Sequence, residues 1–204
     1  NGQKAVSPAQ RVADDDEIMM RHARAGGFVG RGALKIEAAL KEFGISADGK
    51  ICADIGAATG GFTEVLLRSG AAKVYAIDTA YGKLALKIRQ DPRVVVREKT
   101  DVRHMEVLPE PVDLVTIDVS LISLRDILPH AKRLAAPHAS VLALFKPQYE
   151  TRDPRVLHKG VVSDARVRER MRDEFVVWVR AQGWRVMQII ESPIRGAKGN
   201  VEYL

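Results

Sequence analysis

The chain has 204 residues, 46% of them hydrophobic and 28% charged, which gives one domain with a sizeable core, with or without a small appendage, and excludes a chain disordered throughout. A formal charge of +6 favours a polyanionic partner without deciding for one, and the single cysteine, Cys52, excludes an internal disulfide and suits a reducing cytosol. No apolar run approaches the roughly 20 residues of a membrane helix, and the opening NGQKAVSPAQRVADDDE lacks the apolar stretch of a signal peptide, so the expectation is a soluble, cytoplasmic protein with no membrane partner.

Residues 1–20 carry strand-like pieces around 5–6 and 18–20, flanking a Ser-Pro turn and an acidic cluster. They read as the end of a small β-module whose front is missing, or as a flexible tail. From Arg31, RGALKIEAALKEFGI places Leu34, Ala38 or Ala39, and Phe43 on one side of a short amphipathic helix that Gly44 closes. Lys35 lies near its start, and a lysine on a helix normally points to solvent.

The chain is organised around residues 51–63, ICADIGAATGGFT, where an apolar run ends at an acid and breaks into glycine before helical spacing resumes at Phe62, Val65 and Leu66. This reads as strand, tight loop and helix. Gly56, Gly60 and Gly61 let the backbone approach a ligand, and the following helix offers it unpaired N–H groups. The spacing Asp-x-Gly-x-x-x-Gly-Gly differs from the dinucleotide fingerprint, and an ordinary strand–helix turn is the alternative. The strand KVYAID, however, ends at Asp78 about twenty residues after the loop begins, where an acid accepts hydrogen bonds from a ribose. Together the two features point to a nucleoside cofactor.

Next, YGKLALKIRQD reads as a helix stopped by Asp91-Pro92, RVVVRE as a β-branched strand, and PVDLVTIDVS as a buried strand ending at Asp118. A helix over 124–134 leads to SVLALF, which ends at Lys146, on the same sheet edge as Asp118. Open α/β sheets bind ligands at that edge. After a polar loop over 151–162, ARVRERMRDEFVVWVRAQG is a long amphipathic helix whose Arg166, Arg168, Arg170 and Arg172 form a solvated face or a nucleic-acid patch. WRVMQIIESPI and VEYL, joined through GAKGN, make a final hairpin. Alternating strands and helices imply an α/β fold with a mostly parallel sheet, helices on both faces and an antiparallel edge strand.

Together RGALK, DIGAATGGFT, YAIDTAYGKLA, DPRVVVREKTD, VDLVTIDVSLISL, FKPQYE, KGVV and SPIRGAKGNVEYL resemble the TlyA family, S-adenosylmethionine-dependent 2′-O-methyltransferases of ribosomal RNA also known as hemolysin A. The resemblance covers nearly the whole chain and is most specific in the glycine stretch, IDVSLISL and GNVEYL. It implies a Rossmann-like methyltransferase fold with a seven-stranded sheet, S-adenosylmethionine as cofactor, no metal, and ribosomal RNA or ribosomal subunits as partner. It also implies that residues 1–20 are the remnant of an N-terminal RNA-binding module and linker. Residues 21–204 then form an FtsJ-like methyltransferase domain whose last strand is cut at Leu204.

The related FtsJ-like enzymes carry a Lys-Asp-Lys-Glu tetrad, matched here by Lys35, Asp118, Lys146 and Glu202, which overturns the solvent-facing expectation for Lys35. In this reading Lys146 is the general base, Asp118 orients it beside the methyl donor, and Lys35 with Glu202 holds the ribose; Lys35 as base is the alternative. The resemblance further implies that the loop of Asp54, Gly56, Ala57, Thr59, Gly60, Gly61 and Phe62 surrounds the methionine part of the cofactor, with Asp118 at the same site. Asp78 then takes the ribose hydroxyls and Asp101 the adenine amino group. Asp54 as a cap of the glycine turn, and Asp101 as a plain turn residue, stay open. The chain departs from the family with GRGA for SRGG, AYGKL for GYGQL, and TRDPRVLH in place of a glycine-rich loop after KPQYE. A membrane-active hemolysin and an RNA-binding protein without catalysis are the competing functions.

Overall fold

The computed structural model describes residue 13 and residues 27–204, so the strand-like pieces and the module assigned to residues 1–20 lie, apart from Ala13, outside the described residues. Five apolar runs become strands: β1 (Ile51–Ile55), β2 (Lys73–Ile77), β3 (Val94–Arg97), β4 (Val112–Ile117) and β5 (Ala135–Ala143). They form one sheet in the order β3-β2-β1-β4-β5, every neighbouring pair parallel. Both faces are covered, as a parallel sheet requires. On one face α1 (Gly32–Phe43), α2 (Gly61–Arg68) and α3 (Leu86–Arg89) pack through Ile36, Leu66 and Ile88 with Cys52, Val74 and Leu114 of the strands. On the other, α4 (Leu124–Leu134) and α6 (Ala165–Ala181) bring Ile127, Leu128, Phe175 and Val179 into one core with Tyr75, Val115 and Ile117. Burial pushes the Cys52 thiol up to about 12, so it is a neutral core residue.

Helix α1 buries Ala33, Ile36, Ala39 and Leu40 at helical spacing and ends at Gly44, which adopts φ 62° and gives its N–H to the last turn. Helix α6 starts at Asp164, whose carboxylate accepts the N–H groups of Arg166 and Val167. Two of its four early arginines face acids of the same helix. Arg168 donates to the carbonyls of Val162 and Ser163, Arg170 faces Glu174 at 3.9 Å and Arg172 pairs with Asp173 at 2.8 Å. This arrangement suits the solvated face.

Two expectations change in detail. The helix read over YGKLALKIRQD shrinks to the four residues of α3, because the preceding backbone donors go elsewhere. Ala80 N–H is taken by the Asp78 carboxylate, Gly82 N–H by Glu98 and Ala85 N–H by the Thr59 carbonyl, while Gly82 sits at φ 70°. Among the described residues the sheet has five strands, not the seven expected. The expected final hairpin is present as an antiparallel pair of segments, bonded between Ile190 and Leu204 and between Ser192 and Glu202. It joins the end of β5 through an antiparallel bridge at Phe145 and Tyr203.

The order places β1 between β2 and β4, and the register aligns Ile55 with both Ile77 and Ile117. Gly56, Asp78 and Asp118 therefore leave the sheet side by side, at the switch point where open α/β sheets take their ligands.

Candidate active site

At this edge the glycine loop is pressed against β4's exit. Gly56 has φ 85°, and a Cβ on it would collide with the backbone carbonyl of Asp118, so no other residue lets the two loops approach so closely. The N–H groups of Gly56 and Ala57 bond the Ile77 carbonyl at 2.8 and 3.1 Å, which ties the loop to β2. Gly60 and Gly61 open α2, and the Thr59 carbonyl receives Ala85 N–H at 3.1 Å. Phe62 is buried and its ring lies against Gly32 of α1.

The three cofactor-side acids stand in different surroundings. Asp54 is fully buried; its two oxygens accept the hydroxyls of Thr63 at 2.6 Å and Thr116 at 2.9 Å. Burial raises its carboxyl to about 6, and the hydrogen bonds from Thr63 and Thr116 oppose that rise. Its position beneath the loop is that of a cap tying β1 to α2 and β4. Asp78 is half-buried and accepts Ala58 N–H and Ala80 N–H, each at 2.7 Å, so it stands opposite the glycine loop. Asp101 is gripped by Arg103, whose guanidinium holds the carboxyl down at about 2.

The four residues of the expected tetrad form two ion pairs. Lys35 Nζ donates to Glu202 Oε2 at 2.5 Å, with side chains only 9% and 3% exposed. Lys146 Nζ lies 2.6 Å from Asp118 Oδ1 and also donates to the Val119 carbonyl at 2.8 Å and the Ser120 hydroxyl at 3.0 Å. The pairs are neighbours. Gly32, one turn before Lys35, has its Cβ position 3.6 Å from Asp118 Oδ2, and Phe145, next to Lys146, exchanges backbone hydrogen bonds with Tyr203, next to Glu202. Lys35 is thus on the buried face of α1, next to Ile36 and one turn before Ala39, although a lysine on a helix ordinarily points to solvent.

Several neighbours have no signal in the sequence patterns. Ser120 and Val119 complete the Lys146 environment, and Glu150, at the end of α5 (Pro147–Glu150), accepts Ser123 Oγ and Leu124 N–H at 2.5 and 2.7 Å, bracing the same loop. Between them Leu121 adopts φ 67° and is 87% exposed. Gly196 lies so close to the Glu202 carboxylate that a Cβ there would overlap it; the glycine-rich GAKGN marked only a turn. A cavity of about 920 Å³ lies elsewhere, between β5, α6 and residues 183–189, and none of the tetrad or glycine-loop residues lines it.

The model of one family, the FtsJ-like methyltransferases, matches residues 28–204. The chain belongs to that family. Among FtsJ-like relatives, the 16S/23S rRNA (cytidine-2′-O)-methyltransferase TlyA of Mycobacterium tuberculosis is 44% identical over 207 residues, covering 100% of this chain and 76% of the relative. A solved Lactococcus lactis structure carrying a provisional hemolysin name matches with TM-score 0.82 and 40% identity over 86% of each chain. The N-methyltransferase NodS of Bradyrhizobium japonicum, at TM-score 0.57 and 16% identity over 85% of this chain and 91% of its own, shares the fold alone. The FtsJ-like assignment makes the chain an S-adenosylmethionine-dependent methyltransferase with a Rossmann-like α/β fold.

Proposed function

We propose that this protein transfers the methyl group of S-adenosylmethionine to the 2′-hydroxyl of a ribose in ribosomal RNA, in the cytoplasm, on the RNA or on a ribosomal subunit. The observation that carries the reading is the pair of lysine–carboxylate contacts, Lys35–Glu202 and Lys146–Asp118, beside the glycine loop of an FtsJ-like chain.

The residues present suit the cofactor. Gly56 lets the glycine loop close against the exit of β4 and so sets the loop beside Asp118 for the methionine part, Asp78 offers carboxylate oxygens to a diol, and Asp101 offers acceptors to an exocyclic amine. We assign Gly56, Ala57, Thr59, Gly60, Gly61 and Phe62 to this cradle, with Asp54 supporting it from below. When bound, the cofactor supplies a methyl group made electrophilic by its positive sulfur. A ribose hydroxyl is a weak nucleophile and needs a positioned base to take up its proton, a role we assign to the amine of Lys146. Asp118, Val119 and Ser120 fix where the Lys146 nitrogen stands. Lys35 and Glu202, tied to each other and shielded from water, hold the ribose in line. Leu121 stands exposed on the loop that Lys146 anchors, and we assign it to the face of the target nucleotide's base. Its left-handed backbone is an arrangement that persists where the surroundings fix it, as Lys146 and Glu150 do here.

The hemolysin name attached to relatives suggests membrane activity instead, but among the described residues no helix is long and apolar enough to cross a membrane. The deciding experiment incubates the protein with labelled S-adenosylmethionine and ribosomal subunits. Label should appear in RNA at a ribose whose 3′ linkage resists alkaline cleavage; label on a base, or none, would sink the reading.

A further inference from the structure

Beside the Lys35–Glu202 pair, two short turns face each other, and each carries a lysine in left-handed backbone. His158 and Val161 close the first turn with reciprocal backbone hydrogen bonds of 2.8 and 2.9 Å, and Lys159 and Gly160 at its tip have φ 50° and 81°. In the second, Gly196 N–H bonds the Asn200 carbonyl at 2.9 Å and Lys198 has φ 60°. Non-glycine residues rarely adopt this conformation, and here two lysines do so in adjoining turns. The turns are stitched together. The Asn200 side chain, itself buried, donates to the Gly160 carbonyl at 3.1 Å, and a Cβ on Gly160 would stand 3.3 Å from the Lys198 ammonium.

The second turn backs directly onto the catalytic edge, since Gly196 packs on the Glu202 carboxylate and the Arg195 carbonyl accepts a hydrogen bond from Arg31, at the start of α1, at 3.5 Å. Lys159, Lys198 and Arg31 are exposed, and among the described residues none of them has an ion pair. Arg195 differs, because Glu191 stands 3.5 Å from it. Uncompensated cations beside a ribose site suit the anion that flanks every ribose in a nucleic acid.

We infer that Lys159 and Lys198, held by these two turns, grip backbone phosphates of the substrate RNA next to the methylated ribose. The inference rests on the proposed ribose methylation and names the part of the surface that receives the strand. Rigid presentation matters because a surface lysine ordinarily gives up much side-chain freedom on binding. Here the backbone tips and the stitch through Asn200 fix where both chains start.

The test uses Lys159→Gly with Lys198→Gly. Glycine suits positive φ, so the charges go while the turns keep their backbone, and an unchanged melting temperature shows that the fold survives. Binding to ribosomal RNA is measured against salt. Each lost phosphate contact should lower the slope of log affinity against log salt by about 0.7 to 0.9, so the double variant should lose roughly 1.5 and show a raised KM for RNA with unchanged affinity for S-adenosylmethionine. Lys159→Arg with Lys198→Arg should keep the parental slope. A double glycine variant with parental slope and KM would overturn the inference. If the slope falls but the parental protein methylates no ribose, the grip stands and the proposed reaction falls.

Discussion

The two lysine–carboxylate pairs look alike in chemistry and differ in construction. Lys146 and Asp118 stand just past the ends of β5 and β4, neighbouring parallel strands, so sheet register brings them together, and Asp118 keeps its side chain 23% exposed. Lys35 and Glu202 come from the first helix and the last hairpin, 167 residues apart, and both side chains are nearly closed off from water. A buried ion pair is costly to break because the surviving charge has no water to turn to, whereas a partly exposed carboxylate is resolvated. The first pair is therefore a chemical device set on the sheet edge, open to solvent on its Asp118 side. The second is also a structural clasp joining the two ends of the domain.

Breaking each pair tests that division. Glu202→Ala leaves Lys35 buried without its carboxylate and should lower folding stability by about 3–5 kcal/mol, read as a fall in denaturant midpoint, with loss of methyl transfer. Lys146→Ala should do the reverse: transfer falls by about 10²–10⁴-fold, the range for a positioned base, while the denaturant midpoint moves far less. Equal destabilisation by the two substitutions would dissolve the comparison. Undiminished transfer by the Lys146 variant would move the base role to Lys35.

A second contrast lies among the acids. Asp54 has its carboxyl raised to about 6 from 3.8 by burial, whereas Asp101 is held down at about 2 by Arg103. The signs are opposite. A raised acid binds more protons folded than unfolded, so its burial cost is full above pH 6 and vanishes as pH falls towards 4, adding up to about 3 kcal/mol of stability over that window. Asp101 contributes stability above about pH 4 that is lost as pH falls towards 2. Unfolding measured at pH 7, 5 and 4 should show Asp54→Asn with a flatter gain on acidification than the parent. Identical pH profiles for the two proteins would mean that Asp54 is not charged and buried as its two threonines suggest.

The edge that carries Asp118 and Lys146 was legible in the sequence, because in each case an apolar run stops at a charge, and a parallel sheet aligns such stops. The glycine loop was legible for the same local reason. Lys35 was not: a lysine on a helix is ordinarily given to solvent whatever its spacing, and only its resemblance to a family motif pointed to Glu202, since no local pattern links residues so far apart. The threonine clasp on Asp54 escaped likewise, Thr63 and Thr116 lying 9 and 62 residues away. The overlong helix before Asp91 came from weighing side-chain periodicity alone, when the backbone donors of Ala80, Gly82 and Ala85 had been claimed by Asp78, Glu98 and Thr59. Such competition for donors is tertiary and leaves no trace in spacing.

Leu121 sharpens the comparison at its mildest end, because it belongs to the loop beside the Lys146–Asp118 pair and contributes nothing to the core. Its φ of 67° is unfavourable for a leucine and natural for glycine. Leu121→Gly should therefore leave stability unchanged or improved by up to about 1 kcal/mol, relief of backbone strain being offset by the freer unfolded chain. If the side chain meets the target base, the same substitution should raise KM for RNA, with affinity for S-adenosylmethionine untouched. Fully burying a leucine side chain is worth about 1.5–3 kcal/mol and a one-sided contact with a base part of that, so the rise should be about five-fold. Leu121→Phe, which adds a stacking face at the cost of the same strained backbone, should hold or lower that KM. A glycine variant with parental KM would leave the strained loop to Lys146 and Glu150 alone, as the brace of the base and not a contact to the substrate.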